Sequence, residues 1–158
     1  MKVRSEEIRE RMERMMTTLR RAGVRLTHQR LEIYREAAGT DEHPDAEAIH
    51  HRLQKRLPTV TLDTVYRALW LFKDVGLITA LGGIHDRTRF DANARPHHHF
   101  VCEMCGAIRD FEYDADRKWR PPPEIAAIGD VHSTHIELHG ICNQCMQHKK
   151  KKIKLTGK

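Results

Sequence analysis

The chain has 158 residues, enough for one domain or two small ones, and is 39% hydrophobic but only 6% aromatic, so its core is modest and a staple would help it. A formal net charge of +6 suits a polyanionic partner without demanding one, and twelve histidines are an unusual count. No stretch approaches the length of a bilayer span, and the start Met1-Lys-Val-Arg-Ser-Glu-Glu lacks the apolar run of a secretion signal, so the expected address is the reducing cytoplasm, with no membrane partner.

Ile8, Met12, Met15 and Leu19 recur at i, i+4, i+7 and i+11, which predicts an amphipathic helix over residues 5–22 ended by Gly23. After the connector Val24-Arg25-Leu26, Thr27 caps a second helix from His28 to about Ala38, with Leu31, Tyr34 and Ala38 inward and Gly39 as its stop. Pro44 and Asp45 begin a third helix that turns Ala46, Ile49 and Leu53 to one side. Pro58 breaks the chain, and Thr61 caps a fourth helix from about Leu62 to Val75, stopped by Gly76, with Val65, Leu69 and Phe72 on one face. Leu77-Ile-Thr-Ala-Leu81 reads as a strand, Gly82-Gly83 as a turn, and Thr88-Arg-Phe-Asp91 as the returning strand.

Short helices followed by a hairpin are the order of a winged helix-turn-helix, in which the helix before the wing enters the DNA major groove. On that helix Thr61, Asp63, Thr64, Arg67 and Lys73 lie mostly away from the apolar face. Threonine and arginine supply phosphate and guanine contacts, and Tyr66 meets a thymine methyl or a phosphate. The alternative is a polar face that merely sits in water.

The four cysteines form two C-x-x-C pairs, Cys102-Glu-Met-Cys105 and Cys142-Asn-Gln-Cys145. Two such knuckles complete the closed four-sulfur shell preferred by structural Zn2+, and a reducing compartment argues against disulfides. The residues between them hold a small piece of structure: Ile136-Glu-Leu-His139 alternates like a strand, and Pro121-Pro-Pro123 with its short sequel indicates a reduced helix. Ahead of the first knuckle stand His97, His98 and His99. On an extended strand His97 and His99 point to one side. With Asp91 before them and Asp110 after the knuckle, they make an imidazole and carboxylate set suited to Fe2+, Mn2+ or Zn2+, open and exchangeable where the thiolate set is closed.

From about Leu19 to Cys145 the chain resembles the ferric uptake regulator family of bacterial metal-dependent repressors. The matching pieces are Gly23-Val-Arg-Leu-Thr-His-Gln-Arg30, His43-Pro-Asp-Ala46, Thr64-Val-Tyr-Arg-Ala-Leu69, Gly76-Leu-Ile78, Arg89-Phe-Asp91, His97-His-His99 and both C-x-x-C pairs. The resemblance implies an α+β protein: a winged-helix DNA-binding domain over 1–91, a hinge at 92–96, a small α/β dimerisation domain over 97–148 stapled by the four-cysteine zinc site, and a basic tail at 149–158. It implies a homodimer on palindromic promoter DNA, contacted by Arg25, Thr61, Thr64, Tyr66 and Arg67. Cys102, Cys105, Cys142 and Cys145 would hold structural Zn2+, and His43, Asp91, His97, His99 and Asp110 a regulatory Fe2+ or Mn2+. One ion tied to both domains would fix their relative angle.

Peroxide-responsive members carry Asp where iron sensors usually carry Glu, and that position here is Asp91. In such members Fe2+ and H2O2 together oxidise a ligand histidine, matched by His43 and His97. The expected function is therefore a peroxide-sensing repressor, with an iron- or zinc-responsive uptake regulator of the same family as the alternative. His132, His135 and His139 precede the second knuckle, but Thr134 stands where iron and zinc sensors often place the ligand of an additional site, so the resemblance leaves a third site open. The Lys run at 149–152 reads as a solvated tail or a phosphate contact. A metalloenzyme is the remote rival, since no nucleophile motif such as G-x-S-x-G or H-E-x-x-H occurs. A zinc-stabilised adaptor that binds protein alone leaves the Thr64-Val-Tyr-Arg67 helix unexplained.

Overall fold

The computed structural model describes residues 3–82, 87–112, 122–131 and 134–147. The chain divides into two compact units, Met1–Ala94 and Arg95–Lys158.

The first unit is built from four helices and a hairpin: α1 (Ser5–Arg21), α2 (His28–Ala38), α3 (Ala46–Leu53), α4 (Leu62–Asp74), β1 (Thr79–Leu81) and β2 (Arg89–Asp91). Each helix after the first begins on a side-chain cap. The Thr27 hydroxyl accepts from Arg30 N at 3.3 Å, Asp45 Oδ1 from Ala48 N at 2.8 Å and the Thr61 hydroxyl from Thr64 N at 3.2 Å, each satisfying an orphan donor of the first turn. Two helices end the same way. Gly23 (φ +67°) and Gly76 (φ +72°) turn left-handed, so that Val24 N reaches Leu19 O at 2.9 Å and Leu77 N reaches Phe72 O at 2.8 Å. This six-to-one bond closes a helix onto its last carbonyls and needs a residue that tolerates positive φ.

The inward faces meet in one core, centred on Met15 and Leu19 of α1, Ile33 and Tyr34 of α2, Ile49 and Leu53 of α3, and Leu69 and Phe72 of α4. Tyr34 and Phe72 pack edge to face at 5.4 Å between ring centroids. The hairpin pairs Thr79 with Asp91 and Leu81 with Arg89, and Phe90 enters the core from it. This is a winged helix, as the order of elements predicts.

Several details differ from the sequence reading. Leu77 and Ile78 are buried but precede β1, because the Gly76 turn uses Leu77 N to close α4 and extended pairing starts only at Thr79. Val75 is the cap of α4 and not its last residue. Ile8 and Leu31 are half-buried, and two polar residues take inward positions that periodicity reserves for apolar ones. Arg11 is buried and donates to Ala38 O at 3.0 Å and Glu7 at 2.7 Å; Glu32 is buried between Arg35 and Arg56. Gly83 of the expected turn lies outside the described residues.

The second unit holds a three-stranded sheet in the order β4 (Ile108–Phe111), β3 (His98–Cys102), β5 (Glu137–Gly140). β3 and β4 are antiparallel around the first cysteine knuckle, and β5 lies parallel to β3 on its other edge. The expected strand before the second knuckle is therefore present, shifted by one residue. Pro123–Ala127 form a 3-10 turn, the reduced helix expected after the proline run; Pro121, His132 and the 149–158 tail lie outside the described residues. Among the described residues the buried apolar side chains of this unit are Val101, Cys102 and Ile108.

Candidate functional site

The four cysteine sulfurs come together from the ends of the parallel pair. Cys102 closes β3, Gly106 (φ +68°) turns the chain back, and Cys102 N donates to Ala107 O at 2.9 Å, which forms the knuckle that carries Cys105. Glu103 N donates to Gly140 O at 2.8 Å and aligns the end of β5 beside it, and Cys142 N then donates to Cys102 Sγ at 3.2 Å. All four sulfurs lie within 4.8 Å of one another, with Cys102–Cys145 and Cys105–Cys142 both at 3.9 Å. A tetrahedral shell with Zn–S bonds of about 2.3 Å demands sulfurs about 3.8 Å apart, so the tetrad fits zinc. These distances are far beyond the 2.03–2.05 Å of a disulfide, and all four thiols are free.

Electrostatics agree. Burial pushes the Cys102 thiol up, but hydrogen bonds from the backbone of Cys142, Cys105 and Met104 outweigh it and bring it down to about 6. Cys145, hydrogen-bonded to the Cys142 and Cys105 side chains, is pushed up to about 12.

The expected imidazole and carboxylate ligands are shared out between the units, His43 and Asp91 in the first and His97, His99 and Asp110 in the second. In the first, His43 takes a left-handed backbone (φ 49°) just before the Asp45 cap of α3. Phe90 N donates to Pro44 O at 3.1 Å and the Arg89 guanidinium donates to His43 O at 3.5 Å, which stitches β2 to this turn. Asp91, the last residue of β2, thereby sits with Oδ1 3.8 Å from His43 Nε2; both side chains are buried.

In the second unit the β3–β4 register sets Asp110 opposite His99. His97 and His99 share a face, their Nε2 atoms 2.9 Å apart and 3.9 and 3.4 Å from the Asp110 carboxylate. His98 turns to the other face, against Phe111, and its Nδ1 accepts from Ile136 N at 3.2 Å. The alternation expected of an extended strand is what separates them. One participant was not foreseen: His135 Nε2 lies 2.9 Å from His99 Nδ1. Burial lowers the His135 pKa, as do the neighbouring His99, His97 and His98 rings, while Glu137 opposes them. Alternation puts His135, Glu137 and His139 on one face, apart from Ile136 and Leu138, but only the parallel pairing of Glu137 with His99, which the sequence does not show, brings that face to the His99 ring.

The candidate DNA-contacting residues gather at the N-termini of α2 and α4. Thr27, Gln29, Arg30, Thr64 and Arg67 line a groove of about 270 Å3. Arg25 is exposed, and its carbonyl accepts from the Arg30 guanidinium. Thr61 and Tyr66 are exposed, the Thr61 and Thr64 hydroxyls lie 2.9 Å apart, and Arg67, 81% exposed, pairs with Asp63 at 3.0 Å. Sequence reasoning passed over Trp70, exposed further along α4 beneath the Lys73 ammonium, 5.1 Å from its ring. Two helix N-termini and two arginines, Arg30 and Arg67, facing one groove suit a phosphodiester backbone. Among the described residues no helix is long and apolar enough to cross a membrane.

Comparison with known proteins places these features. Residues 21–139 match the model of the Ferric uptake regulator family. The chain is 34% identical over 145 residues to the Peroxide-responsive repressor PerR of Staphylococcus aureus, across 92% of this chain and 98% of that one. Among solved structures it is similar to the ferric uptake regulator Fur of Vibrio cholerae, with a TM-score of 0.64 and 29% identity over 80% of this chain and 98% of that one. It is also similar to PerR from Streptococcus pyogenes, with a TM-score of 0.50 and 30% identity over 85% of this chain and 92% of that one.

Proposed function

The chain belongs to the ferric uptake regulator family, and on that premise we propose that it is a dimeric repressor of palindromic promoter DNA that senses peroxide through a regulatory Fe2+ or Mn2+ site. As a member of that family it is a metal-dependent transcription regulator and not an enzyme, and it takes structural zinc together with a regulatory metal.

In this reading Cys102, Cys105, Cys142 and Cys145 hold the zinc. The regulatory ligands are His43 and Asp91 from the first unit and His97, His99 and Asp110 from the second. Residues of both units tied to one ion hold a single relative angle, which sets the two α4 helices of a dimer at the spacing of successive major grooves. Without that tie the competent arrangement is a fraction of the population, and apparent affinity for DNA falls by that fraction. Thr61, Thr64, Tyr66 and Arg67 of α4, with Arg25 beside it, then meet the duplex.

The observation that carries the reading is the pair of imidazoles, His97 and His99, with Nε2 atoms 2.9 Å apart and facing Asp110: nitrogen and oxygen donors matched to Fe2+ and Mn2+. The four thiols are gathered on one another as a set for one ion, which leaves no separate thiolate for sensing. A bound Fe2+ would catalyse the reduction of H2O2, as Mn2+ would not, and His43 and His97 are the imidazoles that would take up one oxygen while the other leaves as water. Asp91, one methylene shorter than Glu, is the residue that favours peroxide over iron sensing.

The test is mass spectrometry of anaerobically Fe2+-loaded protein before and after brief, low H2O2, paired with a DNA-binding assay and a Mn2+-loaded control. One added oxygen on His43 or His97, with DNA binding lost only in the iron form, is the expected result. Intact histidines, with binding that follows free Fe2+ or Zn2+, would make this a metal-uptake regulator instead.

A further inference from the structure

His135 has no place in the reading above, yet it touches one of its ligands. Both ring nitrogens of His99 face a partner: Nε2 lies toward His97 and Asp110, and Nδ1 lies 2.9 Å from His135 Nε2. The two rings are 4.8 Å apart between centroids and tilted by 49°, so the approach is edge-directed and not a stack. The backbone holds His135 there. His99 N donates to Ile136 O at 3.0 Å and Ile136 N donates to His98 Nδ1 at 3.2 Å, which pins residue 136 to β3 from both sides just ahead of the parallel pairing. His99 itself is 1% exposed, so water offers its Nδ1 little competition.

A neutral imidazole carries one N–H and one lone pair, and a ring that binds a cation must turn the lone pair toward it. We propose that His135 is a positioning residue for His99: its Nε2 accepts a hydrogen bond from His99 Nδ1–H. That bond fixes the tautomer whose Nε2 lone pair lies on the His97 and Asp110 side, and it holds the ring's rotation about the strand. Partners of this kind orient metal-binding histidines and raise their basicity, and losing one typically weakens metal affinity about 10- to 100-fold. The inference rests on the reading of His99 as a regulatory ligand.

The experiment titrates the zinc-loaded full chain with Mn2+, following free Mn2+ by electron paramagnetic resonance, and records the visible absorption of the Co2+-loaded protein. The variants are His135→Ala, His135→Gln and His99→Ala. His135→Ala should bind Mn2+ roughly 10- to 100-fold more weakly, with the shape of the Co2+ spectrum, the zinc content and the thermal midpoint unchanged. His135→Gln, whose side-chain carbonyl accepts the same hydrogen bond, should recover most of the affinity. If His135→Ala stays within about twofold of the parent while His99→Ala loses the metal, the inference is wrong and the ligand reading stands. Glutamine as weak as alanine, or a changed Co2+ spectrum, would overturn it by making His135 a ligand. If His99→Ala also binds Mn2+ normally, the ligand reading fails and takes the inference with it.

Discussion

Removing zinc should unfold the second unit and leave the first intact. The five residues of β3 and four each of β4 and β5 cost on the order of 20 kcal/mol of chain entropy to order. Burying Val101, Cys102 and Ile108 offsets roughly 7 kcal/mol of that. The shortfall, about 13 kcal/mol, falls within the roughly 10–16 kcal/mol that structural zinc contributes to small metal-folded domains. The first unit has no such deficit, because its core draws on all four helices and the wing. The perturbation is Cys105→Ser, or strong chelation of the parent protein under reducing conditions; a serine hydroxyl does not replace the thiolate in the shell. Hydrogen exchange read by mass spectrometry should show amide protection in β3, β4 and β5 falling by at least about a thousandfold, equivalent to about 4 kcal/mol. Protection in α2 and α4 should not change. Strands that stay protected in zinc-free protein would refute the reasoning, since the sheet would then be held by something other than the metal.

Two predictions concern the first unit. Arg67→Ala and Tyr66→Ala, at exposed positions of α4, should each weaken promoter binding by about 1–3 kcal/mol, read by fluorescence anisotropy, while the thermal midpoint holds; unchanged binding would remove α4 from the interface. Gly76→Ala should lower unfolding stability by about 1–2 kcal/mol in urea titrations although nothing lies within 4 Å of the added methyl, because the cost comes from the left-handed backbone alone. A neutral result would show that the α4 terminus relaxes out of that turn.

What could be read from the sequence is what local chemistry decides. Thr27, Asp45 and Thr61 announce helix starts because each supplies an oxygen to a nearby backbone N–H, and Gly23 and Gly76 announce stops because few other residues tolerate the turn. The cysteine pairs are equally legible, since spacing alone brings two sulfurs to one side. Positions settled by distant partners were not legible. Arg11 sits in the polar run of α1 and is buried because the Ala38 carbonyl, 27 residues away, accepts from it. The left-handed turn at His43 depends on β2 bonding to Pro44. The approach of His135 to His99 follows from a parallel pairing that no periodicity in one strand reveals.

The parallel placement of β5 beside β3 also sets an order of maturation. On the ribosome β3, the first knuckle and β4 emerge together and can pair at once, as neighbours in sequence. The strand that completes the sheet arrives some forty residues later, and closing a loop of that length costs about 3 kcal/mol before any contact repays it. The helices of the first unit close mostly over shorter spans and need not wait. A nascent chain made where zinc is scarce would therefore carry a finished reading head on an unfinished second half, exposing Val101 and Ile108 until the ion arrives.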